Sequence, residues 1–332
     1  MHELQYLIFT VIILALVFDF INGFHDTANA IATSVSTRAI PPRVAIIMAA
    51  VLNFVGALYS TGVAKTIGGD IVKSAAHVDE KIIIAALCGA IVWNLVTWWF
   101  AIPSSSSHAL VGGIIGAVLV STGADGLNFY GIGKIVISLV ASPLIAIITG
   151  CGVMSLLYMI FGGFSPSMLN NRFKKMQILS AAMMSFSHGS NDAQKAMGII
   201  TLALLSGGYI QEFEVPFYIK ILAATSMACG TAVGGWKIIK TIGGKIFKLE
   251  PITGFAADLN SAIVIFGATL LHLPVSTTHV VSGSIMGVGT AKRIRAVRWG
   301  VARQMLTAWI LTIPCTALMS AVAYQIARLI FE

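Results

Sequence analysis

Long apolar runs alternate with short polar interruptions from one end of the chain to the other, and no polar stretch is long enough for a soluble domain. The runs lie near 4–19, 43–61, 82–101, 134–162, 176–186, 215–236, 255–272 and 301–331. A helix that crosses a bilayer needs about 20 apolar residues, so the pattern predicts an all-α polytopic membrane protein. Several runs are too short or too interrupted to be clean spans, and the interruptions carry the information.

Three interruptions occur twice. Asn22-Gly-Phe-His-Asp-Thr-Ala-Asn29 matches His188-Gly-Ser-Asn-Asp-Ala-Gln-Lys195, and Lys65-Thr-Ile-Gly-Gly69 returns unchanged as Lys240-Thr-Ile-Gly-Gly244. Ile102-Pro-Ser-Ser-Ser-Ser-His108 matches Leu273-Pro-Val-Ser-Thr-Thr-His279. The order is the same and each offset is roughly half the chain, the mark of internal duplication. Residues 1–162 then form a first repeat, 163–175 a short linker and 176–332 a second repeat.

Basic residues in matched loops orient the halves, because cytoplasmic loops carry the excess of Lys and Arg. Arg38 and Arg43 follow the first polar cluster, whereas Glu212 and Glu214 follow its twin. The Lys65–Lys81 loop balances its bases with Asp70, Asp79 and Glu80, whereas its twin holds Lys237, Lys240, Lys245 and Lys248 against one Glu. The stretch around Asp125 is matched by one with Lys292, Arg293, Arg295, Arg298 and Arg303. Opposite character in each pair predicts two inverted-topology repeats, with both termini outside and the linker in the cytoplasm. Each half then needs an odd number of reversals. The segments on either side of Pro103 and of Pro274 fit as paired re-entrant or half-helix hairpins, or as full spans.

Composition narrows the class. The 332 residues are 57% hydrophobic and only 10% charged, against about 25% charged in soluble domains, and the mean hydropathy is +0.89. The net charge of +8 sits mostly at the ends of apolar runs. It reads as membrane orientation, with lipid as the surrounding and no nucleic-acid partner. The cysteines at 88, 151, 229 and 315 lie inside apolar runs without metal-ligand spacing and read as small buried hydrophobes. The first run has no basic n-region and leads into a polar cluster, so it reads as a first membrane segment rather than a signal peptide.

The first cluster sets Asp19, Asn22, His25, Asp26 and Asn29 within one segment. An ionised Asp in hydrocarbon costs at least a few kcal/mol, so these side chains should face protein, ions or water. Gly23 is a candidate helix break, where freed carbonyls join Asp and Asn as hard oxygen donors for Na⁺ or beside a protonatable carboxyl. A polar network that only ties helices together is the competing reading. The second cluster repeats the acid at Asp192 but places Lys195 opposite Asn29. That ammonium either holds an anionic substrate, stands in for a monovalent cation, or pairs with Asp192 three residues earlier.

Pro103 precedes Ser104, Ser105, Ser106 and Ser107, and Pro274 precedes Ser276, Thr277 and Thr278, each ahead of a Gly-rich apolar run. Proline ends one helix and the hydroxyls cap the next. The first N–H groups of a helix lack intrahelical partners and its dipole favours an anion there. Two such ends, brought together by inverted halves, make a cage for a tetrahedral oxyanion. His25 and His188 adjoin the acids and are proton-relay candidates, while His108 and His279 read as supporting or packing residues. Asp258 is a further intramembrane acid whose matched position is Leu87.

Together these motifs resemble the duplicated signatures of the inorganic phosphate transporter (PiT) family, of the bacterial low-affinity permease type. The similarity runs from the first helix to about Gly287. The resemblance implies secondary active symport of inorganic phosphate, driven by an H⁺ or Na⁺ gradient through alternating access around a midplane site. It also implies a homodimer in the plasma (inner) membrane, no enzymatic step and no cofactor beyond the coupling cation. Family ligands carried over fall on Asn22, Asp26, Asn29, Asn191 and Asp192 and on the hydroxyls Ser105, Ser106, Ser107, Ser276, Thr277 and Thr278. With the residue reading added, phosphate contacts are also expected from Ser104 and Lys195. Cation coupling is expected at Asp26, Asn29, His25, Asp192, His188 and Asp258, with Na⁺ possible at Asp26, Asn29 and Asp192. His25 and Lys195 match the proton-coupled branch, which moves metal-phosphate complexes. A divalent metal-ion transporter or channel is the rival reading, and it needs more converging carboxylates than Asp26, Asp192 and Asp258. An intramembrane phosphatase or protease lacks any nucleophile motif or metal triad.

Overall fold

Every apolar run of the sequence seeds a helix in the computed structural model, which describes residues 2–74 and 78–331. In chain order the helices are α1 (His2–Ser36), α2 (Pro42–Ala57), α3 (Gly62–Gly69), α4 (Glu80–Trp99), α5 (Ser106–Ser121), α6 (Phe129–Phe161), α7 (Pro166–Asp192), α8 (Gln194–Ser206), α9 (Phe217–Val233), α10 (Trp236–Lys245), α11 (Pro251–Leu270), α12 (Thr277–Lys292) and α13 (Trp299–Phe331). Among the described residues, five helices are long and apolar enough to cross a membrane. The α2–α3 pair, bent by 72°, makes a sixth candidate. Lys237 and Lys240, used above to orient the loops, lie outside the residues whose side chains are described.

The succession of α1 to α6 is repeated by α7 and α8 together, then α9 to α13. The matched helices α4 and α11 each have 20 residues, α5 and α12 each have 16, and α6 and α13 each have 33. Local chemistry repeats with them. The helices α4 and α11 both end in a left-handed residue, Ala101 at φ 55° and His272 at φ 59°. Each is closed by a 2.9 Å bond, from Ile102 N–H to Thr97 O and from Leu273 N–H to Ala268 O. Left-handed backbone strains a non-glycine residue, so these stops need the surrounding structure to hold them. The prolines that follow prevent the helix from resuming. Ser105 then caps α5 by accepting from His108 N–H at 3.2 Å, and Ser276 caps α12 by accepting from His279 N–H at 3.3 Å.

The expected helix break at Gly23 is absent: α1 runs unbroken through it. Its second-half equivalent is interrupted at Ala193, not at Gly189. Both glycines serve close approach instead. A Cβ on Gly23 would overlap the Met227 carbonyl of α9, and one on Gly189 would overlap the Asn53 carbonyl of α2. Small residues let membrane helices pack backbone to backbone, which here leaves the polar residues of α1 and α7 turned inward. The cysteines correct a second expectation: Cys229 is exposed and the other three are only part-buried.

Buried apolar side chains form two separate clusters, one including Phe18, Leu110, Met197 and Leu202, the other Ile31, Met184, Val281 and Ile285. Along α1 the first cluster ends at Phe18 and the second begins at Ala30. The intervening segment carries the polar cluster. Tyr130, Ile137 and Ile148 of α6 and Ile310, Leu318 and Leu329 of α13 are exposed, as expected of helices that face lipid.

Candidate functional site

Between the two apolar clusters, the ends of the α4–α5 and α11–α12 hairpins meet the polar segments of α1, α7 and α8. The start of α5 adjoins the start of α12, with the His108 and His279 rings 4.5 Å apart and Trp309 stacked on His279 at 3.8 Å. The hairpin tips are held in matching ways. Trp309 Nε1–H donates to the Pro103 carbonyl at 3.3 Å, and the Ser138 hydroxyl donates to the Pro274 carbonyl at 2.9 Å. Ser107 ties the two tips together by donating to Val275 O at 2.8 Å.

The acids sit where the tips converge. The Ser106 hydroxyl lies 2.7 Å from both Asn22 Oδ1 and Asp26 Oδ2, so its single proton is shared between two acceptors. Asp26 Oδ1 lies 2.7 Å from His25 Nδ1 and accepts from Thr278 at 3.1 Å, while Asn29 donates to Thr278 Oγ1 at 2.8 Å. In the second half, Thr277 donates to Asp192 Oδ2 at 3.2 Å, matching Ser106 on Asp26. Lys195 has no equal in the first half. Its Nζ lies 2.9 Å from Asp192 Oδ1 and donates to Ser106 Oγ at 3.3 Å, so one ammonium joins the two repeats. All of these side chains are buried.

Most of the anticipated residues thus converge: Asn22, His25, Asp26, Asn29, Ser106, Asp192, Lys195, Thr277 and Thr278. His188 stands at their edge, 3.5 Å from Asp192 and 3.2 Å from Asn53. Others support the tips instead. Ser104 donates to Thr97, Ser105 and Ser276 serve as caps, and Asn191 donates to Thr269 and to Leu273 O while accepting from Val275 N–H. Asp258 lies apart, held by Thr33 and Gln177. Thr33 is two turns beyond Asp26 on α1, about 10 Å along the axis. Sequence reasoning missed Thr97, Asn53, Gln177 and Thr269, which hold His25, His188, Asp258 and Asn191. Their one signal is a polar residue set among apolar ones within a run.

The arrangement suits an anion that arrives with cations. Ionised Asp26 and Asp192 against Lys195 leave a formal charge of −1 with neutral histidines, which opposes an incoming anion. Placing a proton or Na⁺ on each carboxylate reverses the sign. Hydroxyls and the ammonium can then turn from the acids to the anion's oxygens, at two helix N-termini whose dipoles favour it. Among the described residues no three His, Cys, Asp or Glu side chains group as metal ligands, so the divalent-metal reading gains no support.

Comparison with known proteins finds the chain's relatives among phosphate transporters. A family model described as "Phosphate transporter family" matches residues 22–320. A Bacillus subtilis protein named "Probable low-affinity inorganic phosphate transporter" is 52% identical over the whole of both chains. A Rhizobium meliloti protein of the same name is 46% identical over 96% of each chain. A solved structure entitled "The sodium-dependent phosphate transporter" superposes with a TM-score of 0.86 at 28% identity, covering 98% of this chain and all of the other.

Proposed function

The chain belongs to the phosphate transporter family, and from that premise we propose that it is a secondary active symporter of inorganic phosphate, with H⁺ as the favoured coupling cation. It is an integral membrane protein and a transport protein rather than an enzyme. The observation that carries the proposal is the convergence of two hydroxyl-capped helix starts on the Asp26–Asp192–Lys195 group. Phosphate would take its contacts from Ser106, Thr277, Thr278 and Lys195, with Asn22 and the remaining hairpin hydroxyls shaping the cage. Asp26 and Asp192 would take the coupling cation, His25 and His188 relaying protons to them and Asn29 offering an oxygen.

Lys195 favours the proton. Where the first repeat has the neutral Asn29, the second has a fixed positive charge 2.9 Å from Asp192, and a metal cation there would be repelled. The superposed solved structure is sodium-dependent by its title, so Na⁺ is the alternative, at Asp26, Asn29 and Asp192. The repeats would be inverted, both termini outside the plasma membrane, and alternating access would come from the halves exchanging conformations around the hairpin tips. We further propose a homodimer that accepts phosphate free or as a metal-phosphate complex.

Radiolabelled phosphate uptake into proteoliposomes tests the proposal, with inward H⁺ and Na⁺ gradients imposed separately. Accumulation in the H⁺ arm is the expected result. Accumulation in the Na⁺ arm alone overturns the choice of ion and leaves symport standing. Mere equilibration in both arms overturns symport.

A further inference from the structure

Asp19 takes no part in the phosphate cage, yet it is fully buried, and the Asn22 amide is the one hydrogen-bonding side chain beside its carboxylate among the described residues. It lies one helical turn before Asn22 on α1, within electrostatic reach of Lys195 and Asp192. A carboxylate in that position must gain either a proton or a cation, since an isolated buried charge is not tolerated.

A buried amide without partners lies close by. Asn94 on α4 is fully buried, and both its amide oxygen and its amide nitrogen lack partners among the described residues. The register of the helices sets it about one turn from the acid. Ser206 lies against Glu80, and the neighbouring Gly207 packs on Ile8, so the start of α4 lies by Ile8. At the other end His25 Nε2 is 3.3 Å from Thr97 Oγ1, 72 residues apart in sequence, the same separation as Ile8 and Glu80. The two helices therefore run parallel, which sets Asn94 level with Asn22 and one turn beyond Asp19. Asn22, whose Oδ1 accepts from Ser106, turns its Nδ2 to the Asp19 carboxylate. The Asn22 amide on α1 and the Asn94 amide on α4 thus both stand about one helical turn from the carboxylate.

The duplicate of this place is ordinary. Ser185 stands where Asp19 does and donates to Ala181 O in its own helix, and Ile265 stands where Asn94 does. Helix packing alone is met there without an acid or an amide, so packing does not account for the pair in the first half.

We propose that Asp19, with Asn94 and Asn22 around it, is a second monovalent-cation site, separate from Asp26 and Asp192, which loads one coupled cation with each phosphate. It rests on the symport reading above. A proton would sit on the carboxyl and be donated to Asn94 Oδ1. A sodium ion would be held between the carboxylate and that same oxygen. Lys195 and Asp192 are the charged groups in reach from α8 and α7, and the His25–Asp26 pair stands two turns further along α1.

Steady-state accumulation in proteoliposomes counts coupled cations, because a tenfold gradient of a coupled ion multiplies the phosphate ratio tenfold for each ion carried. The membrane potential is clamped, and a tenfold H⁺ gradient at equal Na⁺ is compared with a tenfold Na⁺ gradient at equal pH. In whichever arm drives the wild type, Asp19→Asn should accumulate about tenfold less phosphate, while phosphate self-exchange without a gradient continues. Asn94→Leu should shift accumulation in the same direction, and it decides alone if Asp19→Asn does not fold. The arm that responds identifies the ion. Wild-type accumulation in the variants overturns the site, as does loss of self-exchange in step with accumulation, which would make Asp19 part of the phosphate cage or the fold. A wild type that accumulates phosphate in neither arm overturns symport itself.

Discussion

Replacing Lys195 with Met deletes a fully buried ammonium whose Nζ lies 2.9 Å from Asp192 Oδ1 and 3.3 Å from Ser106 Oγ. At that separation the pair's attraction is about 6 kcal/mol for an effective dielectric of 20, largely offset by the desolvation of both ions. The net worth of the pair is therefore small, but the cost of breaking it is not. Asp192 would keep Thr277 at 3.2 Å and His188 at 3.5 Å as its nearest support. Removing one member of a buried pair costs ~3–5 kcal/mol, because an uncompensated charge stays behind. Lys195→Met and Asp192→Asn should each destabilise by that amount, while the double variant should lose far less than their sum, a coupling of about 3 kcal/mol. Denaturant unfolding in detergent, run as a double-mutant cycle, measures it. Additive losses would refute the claim that the two charges compensate each other.

The same lysine has a functional consequence: Lys195→Asn, which gives the second repeat the residue of the first, should make uptake respond to a Na⁺ gradient, read in proteoliposomes. Ser106→Val and Thr277→Val keep side-chain bulk but delete a hydroxyl that reaches the acids. Each should weaken phosphate binding about tenfold on the scale of one hydrogen bond to a charged group, measured by equilibrium binding. Asp26→Asn and Asp192→Asn should lose gradient-driven accumulation, with phosphate exchange surviving in at least one. Full accumulation in both would refute coupling at these acids. For topology, single cysteines at Asp79 and Gly208 should label from outside, and those at Lys175, Lys245 and Arg295 from the cytoplasm, on a background without the native cysteines. Labelling of Asp79 and Lys245 from one side would refute inversion.

The duplicated motifs make the hairpins legible in the amino-acid sequence itself. Proline followed by hydroxyls encodes a stop and a cap within a few residues, and both are local backbone events. Gly23 misleads for the reverse reason. A glycine inside a helical pattern signals either a break or a close neighbour, and its own sequence cannot say which. Here the neighbour is α9, roughly two hundred residues away, and a Cβ at Gly23 would meet its backbone. The supporting residues Thr97 and Asn53 are unreadable for a related reason. Each hydrogen-bonds a site histidine across a helix–helix contact, and only the packed register supplies that pairing. Asp258 is visible as an acid, but its distance from the cage is not, since Thr33 and Gln177 come from two other helices.

Symmetry and its exceptions divide the work in this chain. What the two halves share, namely the caps, the left-handed stops and the hydroxyl-to-acid bonds, builds a cage that treats both sides alike. The matched acids in such a cage favour an anion that arrives with cations, but they give the two sides no difference. The charges that break the match are Lys195 against Asn29, Asp19 against Ser185 and Asp258 against Leu87. Asp19 and the Thr33 contact of Asp258 lie two turns to either side of Asp26 along α1, about 10 Å each way. On the proposed reading, a carboxyl on each flank would offer a candidate cation group on either side of the cage. If the halves exchange conformations around the tips, the surroundings of these off-axis charges must change between the two states, whereas those of matched residues are interchanged. Differential interaction with two states is what lets a ligand shift their balance. The coupling of phosphate to cations is therefore sought at Asp26 and Asp192 together with the unmatched charges around them, and the binding of phosphate at the matched hydroxyls.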